Sequence, residues 1–227
     1  ACRLHDQAHL VRHPSKRGRQ AIEHFGILTR FTGRLIHDCL ACYFLLHCLH
    51  GLCNAHLLRE LTFLFEVEHQ RWAGAMRALL LQMHRCASTG KAPRAKKLAS
   101  WQRRYRALVR QGHAANPPLA KSPTSRRGRP KQSKAQNLLH RLKTHQRSVL
   151  AFLEDPEIPF TNNQAEQDLR MMKVQQKISG AFRTLPGAQM FARIRSYLST
   201  VRKQERDVFQ SIIDALNGEP FLPRGPA

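Results

Sequence analysis

Glu166, Arg170, Lys173 and Lys177 stand four, three and four residues apart in the stretch FTNNQAEQDLRMMKVQQKI, residues 160–178. On a helix this spacing puts one carboxylate and three cations on a single face. The acid in the first turn could hold a divalent cation, and the basic stripe beyond it a phosphate backbone. The same residues have a purely structural reading. With Asn163 as N-cap, Glu166 takes the acidic place of a capping box, and Glu166 with Arg170 is an ordinary i, i+4 pair. Asn162 and Asn163 likewise either place Glu166 or touch a DNA strand, or act as a cap and its neighbour. A second acid, Asp38, closes the apolar run RLIHD. A strand presents a ligand at its carboxyl end in this way, but an Asp also caps a following helix, here LACYFLLH. A third group, Cys39-x2-Cys42 and Cys53-x2-His56 with Cys48 and His50 between, has the residue types and spacings of a zinc site. Those pairs fall on a helix and a strand end rather than on knuckle turns, and Cys53 reads equally well as a buried strand residue.

Hydrophobic spacing predicts the elements that must position these groups. Residues 8–13 read as a short strand, followed by a short helix, KRGRQAIEHFG, stopped at Gly26. RLIHD is a strand ending on Asp38, and CLHGLCNAH a second strand ending on His56. One long helix then carries Leu57, Leu61, Leu64, Trp72, Met76, Leu79 and Met83 as core residues to about Arg85. After a loop at 87–95, Leu98, Trp101, Tyr105 and Leu108 mark another helix, surrounded by Lys96, Lys97, Arg103, Arg104 and Arg106. Prolines, glycines and cations make 112–134 a basic surface loop. Its SRRGRPK segment, with Arg126, Arg127, Arg129 and Lys131, either lies along DNA phosphates or in a minor groove, or is a solvated linker. Helix 135–154 turns Leu139, Leu142, Leu150 and Leu153 inward, and the helix carrying Glu166 buries Ala165, Leu169 and Met172. A turn at Gly180, an amphipathic helix with Met190, Phe191, Ile194, Tyr197, Leu198 and Val201 inward, and a short helix from Val208 to Leu216 complete the chain. Residues 218–227 read as a frayed tail.

Composition narrows the partner. The 227 residues carry 38 Lys and Arg against 15 Asp and Glu, a net charge of +23. Such a chain seeks polyanions, nucleic acid first. The cations are spread over many segments rather than gathered beside a membrane anchor, and no run of about 18 apolar residues exists to make one. The apolar fraction of 42% supplies a core without disulfides, so the six cysteines read as reduced thiols. A basic helical scaffold or RNA-binding protein also fits the charge, and would need no acid pair.

NNQAEQDLRMMKVQQKISGAFRT followed by GAQMFARIRSYLSTVRKQ resembles the C-terminal signature of the insertion-sequence-66 transposase family. HDCLACYF, HGLCNAHLLREL and RGRPKQSKAQNLL resemble the same family in the same order, so the likeness runs from about Lys16 to Asn217. The resemblance implies an α/β, ribonuclease-H-like core with a large helical insertion, predominantly helical in this chain. Residues 1–56 would carry part of that core, 57–155 the insertion, and 156–217 the C-terminal core helices. It implies DDE chemistry: metal-dependent cleavage and transfer of DNA strands at transposon ends, with Mg²⁺ or Mn²⁺ as cofactor. Asp38 matches the family's second catalytic Asp and Glu166 its catalytic Glu, both as metal ligands. Arg170, Lys173, Lys177 and the loop cations at 126, 127, 129 and 131 would bind DNA. Transposon ends and target DNA are the implied partners, with no membrane. The resemblance also admits a homo-oligomer and other transposition proteins, in a bacterial cytoplasmic, nucleoid-associated setting. Asp6 stands only 32 residues before Asp38, too few for the strands and helix the fold places between its two Asp residues. The first catalytic Asp is therefore expected upstream of Ala1, and the core to be N-terminally incomplete. On that expectation the chain alone binds DNA without cutting it. A non-catalytic basic nucleic-acid-binding remnant is the alternative.

Overall fold

The computed structural model describes residues 18–90, 93–118, 132–155, 157–180 and 182–222. The predicted strand at 8–13 and the loop cations Arg126, Arg127, Arg129 and Lys131 lie outside them. The chain forms two units, one spanning Thr32–Asn162 and a second that joins the described residues before it to those from Asn163 onward.

The first unit starts with two parallel strands, β1 (Arg34–His37) and β2 (Leu49–Leu52), paired from Arg34↔Leu49 to His37↔Leu52. Gly51 makes the pairing close: a Cβ there would meet Ile36 Cδ1 at 2.4 Å. The crossover carries a 3-10 helix, Ala41–Leu45, instead of the expected α-helix, and its N-cap is Leu40 with no side-chain cap. Asp38 is thus not a helix cap; its Oδ1 accepts from Leu40 N–H at 3.3 Å in a local turn. Helix α2 (Asn54–Glu66) follows β2 directly, which puts His56 in the first helical turn and not at a strand end.

The single long helix expected from Leu57 to Arg85 is two, α2 and α3 (Arg71–Ala87). Between Leu64 and Trp72 no side chain reaches the core, so nothing holds a helix in register there. His69 turns the chain at φ 52°. Gln70 fixes the corner, its Oε1 accepting from Trp72 Nε1 at 2.8 Å and from Asn116 Nδ2 at 3.0 Å. Helix α4 (Ala95–Ala115) runs further than predicted, into the stretch read as loop. Helix α5 (Lys134–Thr144) is capped by the Ser133 hydroxyl, which accepts from Gln136 N–H. The expected helix 135–154 is broken into α5, α6 (Gln146–Val149) and a 3-10 turn at Ala151–Leu153. Leu139, Leu142, Leu150 and Leu153 are buried as predicted. They join Leu57, Leu61, Leu64, Trp72, Met76, Leu79, Met83, Trp101 and Tyr105 in one core. Tyr105 OH donates to Leu142 O at 2.9 Å, so the core's phenol is satisfied.

In the second unit, α1 (Arg19–Phe25) stops at Gly26, whose left-handed conformation lets its N–H reach Ile22 O. Helices α7 (Asn163–Ser179) and α9 (Val208–Leu216) match their predicted extents, α8 (Leu185–Lys203) contains the predicted stripe and starts five residues before it, and Gly180 turns at φ 71°. Thr184 and Asp207 cap α8 and α9 through Gly187 N–H and Gln210 N–H. Tyr197 OH ties the two by donating to Ser211 O. The predicted inward stripes are only partly buried. None of Ala165, Leu169 and Met172 is buried, and Leu169 is 52% exposed. The Lys203–Asp168 ion pair at 2.6 Å ties α8 to a polar flank of α7, while Leu169 and Met171 stay exposed. On α8, Ala192 and Val201 are buried while Met190 and Ile194 are exposed. The described part of the tail is not frayed: Phe221 N–H donates to Tyr197 Oη, and the Arg206 guanidinium lies 4.4 Å over its ring. Among the described residues no helix is long and apolar enough to cross a membrane.

Candidate functional site

Strand β1 alternates, so Leu35 and His37 share one face and Arg34 and Ile36 the other. His37 is 3% exposed. Its Nδ1 accepts from Cys39 N–H at 3.2 Å, which leaves the proton on Nε2, a buried atom with no partner among the described residues. The ring lies against Tyr43, Phe44 and His50, with centroids 5.1, 4.8 and 5.4 Å away. Burial, reinforced by His50, pushes its pKa down to about 4, and the Asp38 charge only partly opposes this. His37 is therefore a neutral imidazole that holds the turn.

The turn sets Asp38. Cys39 has φ 72°, a left-handed conformation that costs a non-glycine residue about 1–2 kcal/mol. It reverses the chain just past the strand, and Asp38 is left exposed at the carboxyl end of β1. Open α/β sheets bind ligands at this edge. The Asp38 charge is felt locally. Burial raises the Tyr43 phenol pKa, and Asp38 adds to it. Burial also raises the Cys39 thiol; Arg141 opposes, while Asp38 and Glu60 add. Arg141, on α5, is fixed by a two-pronged pair with Glu60 on α2, Nη1 donating to Oε1 at 2.9 Å and Nη2 to Oε2. A guanidinium is thereby locked close to the Asp38 turn.

The end of β2 is equally well tied. Cys53 N–H donates to His37 O at 2.8 Å, continuing the ladder. Asn54 N–H donates to Phe160 O, its Nδ2 to Val149 O, and Asn162 N–H to Cys53 Sγ. Cys53 is buried, as its strand reading required. Cys39, Cys42, Cys48, Cys53 and Cys86 are free thiols. Among the described residues, Cys39 and Cys42 do not gather with Cys53 and His56 within ligand distance, so the four-residue zinc set is not formed.

Glu166 is the fourth residue of α7, one place past the capping-box position, and is half-buried. Arg170, Lys173 and Lys177 follow on its face and are exposed. Asp38 belongs to the first unit and Glu166 to the second. His37 and Arg141 were not legible as site residues, and Cys39 was legible only as a zinc ligand, not as the residue that turns the chain. A histidine one place before an acid and an arginine about 100 positions later carry no spacing signal.

The model of the IS66 transposase family matches residues 2–190. The chain belongs to the IS66 transposase family. No curated protein and no solved structure matches it. The IS66 match takes in Asp38, Glu166 and the three cations of α7, and ends within α8.

Proposed function

We propose that this chain carries DNA-transposase chemistry, cleaving DNA strands at transposon ends and joining them to target DNA. The observation that carries the reading is an exposed carboxylate, Asp38, at the carboxyl end of a parallel strand pair in an IS66-family chain. On this reading β1 and β2 belong to a ribonuclease-H-like core, residues 57–155 are its helical insertion, and Glu166 on α7 is the second acid of the site.

The donor set fits a hard divalent cation. Asp38 and Glu166 offer carboxylate oxygens, and burial raises the pKa of the Cys39 thiol next to Asp38. Asp38 and Glu166 would hold Mg²⁺ or Mn²⁺; when bound, the metal supplies water activation and neutralises phosphoryl charge. His37 and the Leu40 N–H orient Asp38. Arg170, Lys173 and Lys177, with the loop cations 126, 127, 129 and 131, take the phosphate backbone. The third carboxylate comes from residues N-terminal to β1. The one described acid there, Glu23, is spent on Arg19 at 2.6 Å. The setting is the cytoplasmic nucleoid, and homo-oligomers and other transposition proteins are natural partners.

The test is strand nicking and transfer on transposon-end duplexes, with the protein as its insertion sequence encodes it and Mg²⁺ or Mn²⁺ present. Asp38→Asn and Glu166→Gln should each abolish both reactions, with DNA affinity kept or slightly raised because a negative charge is lost. Gln keeps the helix propensity and size of Glu, whereas a metal site loses its anionic ligand. An active Glu166→Gln protein would sink the assignment. DNA binding without cleavage in either metal would favour a non-catalytic remnant.

A further inference from the structure

Helix α4 contains six Lys and Arg and no acid, and neither α3 nor α5 contains an acid. Its core face is Trp101, Tyr105, Leu108, Val109 and Gly112. At 100° per residue, Lys96, Arg103, Arg106 and Arg110 fall within about 80° of one another on the opposite side. All four are exposed, and among the described residues none makes an ion pair. Lys97, by contrast, is used in packing, 4.8 Å over the Trp101 ring. The ridge is unfavourable to the isolated helix. Arg103 with Arg106, and Arg106 with Arg110, are like-charge pairs at i, i+3 and i, i+4. Lys96 and Lys97 also sit in the first turn, where the helix dipole disfavours cations.

Resting on the transposase reading, we infer that the outer ridge of α4 — Lys96, Arg103, Arg106 and Arg110 — is a phosphate-binding rail for duplex DNA. The ridge runs about 21 Å along the helix axis. Duplex is favoured over single strands because the helix's aromatics, Trp101 and Tyr105, are buried and cannot stack on bases. A membrane surface is disfavoured because the helix has no free apolar face to insert; that face is spent on the core.

The test is fluorescence anisotropy with a random-sequence duplex between 50 and 200 mM salt, comparing the full chain with a Lys96→Gln, Arg103→Gln, Arg106→Gln, Arg110→Gln variant. The slope of log K against log salt should become shallower by up to about 3.6, about 0.9 for each phosphate that is no longer neutralised. The helix content should be unchanged by circular dichroism. An unchanged slope overturns the rail, while a wild-type chain that binds no duplex fails the transposase reading itself. If the fourfold variant does not fold, each single substitution should reduce the slope by about 0.9, and three flat singles overturn the rail. Arg→Lys at 103, 106 and 110 should keep the slope. Equal loss of binding to a single-stranded oligonucleotide, or to phosphatidylserine vesicles, would reassign the ridge and overturn the duplex inference.

Discussion

The His37 imidazole has a partner for one nitrogen, and its ring lies against Tyr43, Phe44 and the His50 imidazole. Charging it would place a cation in that pocket, so the folded protein resists protonation. The unfolded chain protonates near 6.5 and the folded one near 4. Between those values the unfolded state binds more protons, so stability is full above about pH 6.5 and falls as pH drops toward 4. The lowered pKa of His145, set by burial and then by His140, His50 and Arg141, adds in the same direction. The loss from His37 is at most about 3 kcal/mol. Denaturant titrations at pH 7 and 4.5 should show it, and a His37→Phe variant should lose less over that interval. A wild-type stability that is level across the interval would contradict the buried neutral imidazole.

Two glycines separate close packing from spare room at the level of helices. A Cβ on Gly112 of α4 would meet Leu139 Cδ2 at 2.3 Å and Trp72 Cδ2 at 3.0 Å, both in the core. Gly112→Ala gains about 1 kcal/mol of helix propensity but adds overpacking of about 1–3 kcal/mol, so a net loss near 1 kcal/mol is expected. On α3, Gly74→Ala meets the Phe65 ring, which is 42% exposed and can swing away. That variant should be neutral or slightly stabilised in the same titration. The helices themselves were legible wherever apolar residues recur without interruption, as from Leu98 to Leu108. Breaks were not. His69 and His145 stand at helix breaks that no Gly or Pro announces, because hydrogen bonds such as those of Gln70 decide the corner. Asp38 was legible from its place after an apolar run. The left-handed Cys39 that turns it outward was not, since cysteine carries no preference for that conformation. The stripe on α7 had the right period, but period cannot say whether a neighbouring helix arrives to cover it.

Seen whole, the chain concentrates its apolar burial in one unit. Among the described residues, the contiguous core runs from Leu52 to Phe160, while the second unit fully buries little beyond Ala192, Val201 and Ser211. At about 1.5–3 kcal/mol per buried large aliphatic side chain, the first unit holds most of the stabilisation. Amide hydrogen exchange should therefore be slowest across Leu57–Leu64, Met76–Met83 and Leu138–Leu142, and faster by orders of magnitude along α7. Uniform protection through α7 would show that its exposed Leu169 face is covered in solution.

Both of the chain's tryptophans, Trp72 and Trp101, lie in that first unit, nearly sealed from solvent. Tryptophan emission, excited apart from the tyrosines because Tyr197 lies on α8, is thus blue-shifted and belongs wholly to the α3–α4 bundle. A fluorescence melt watches this bundle alone and is dark to α7, α8 and α9, whose loss shows only as ellipticity. The interval between the two optical curves is a direct readout of how independently the helix bearing Glu166 unfolds.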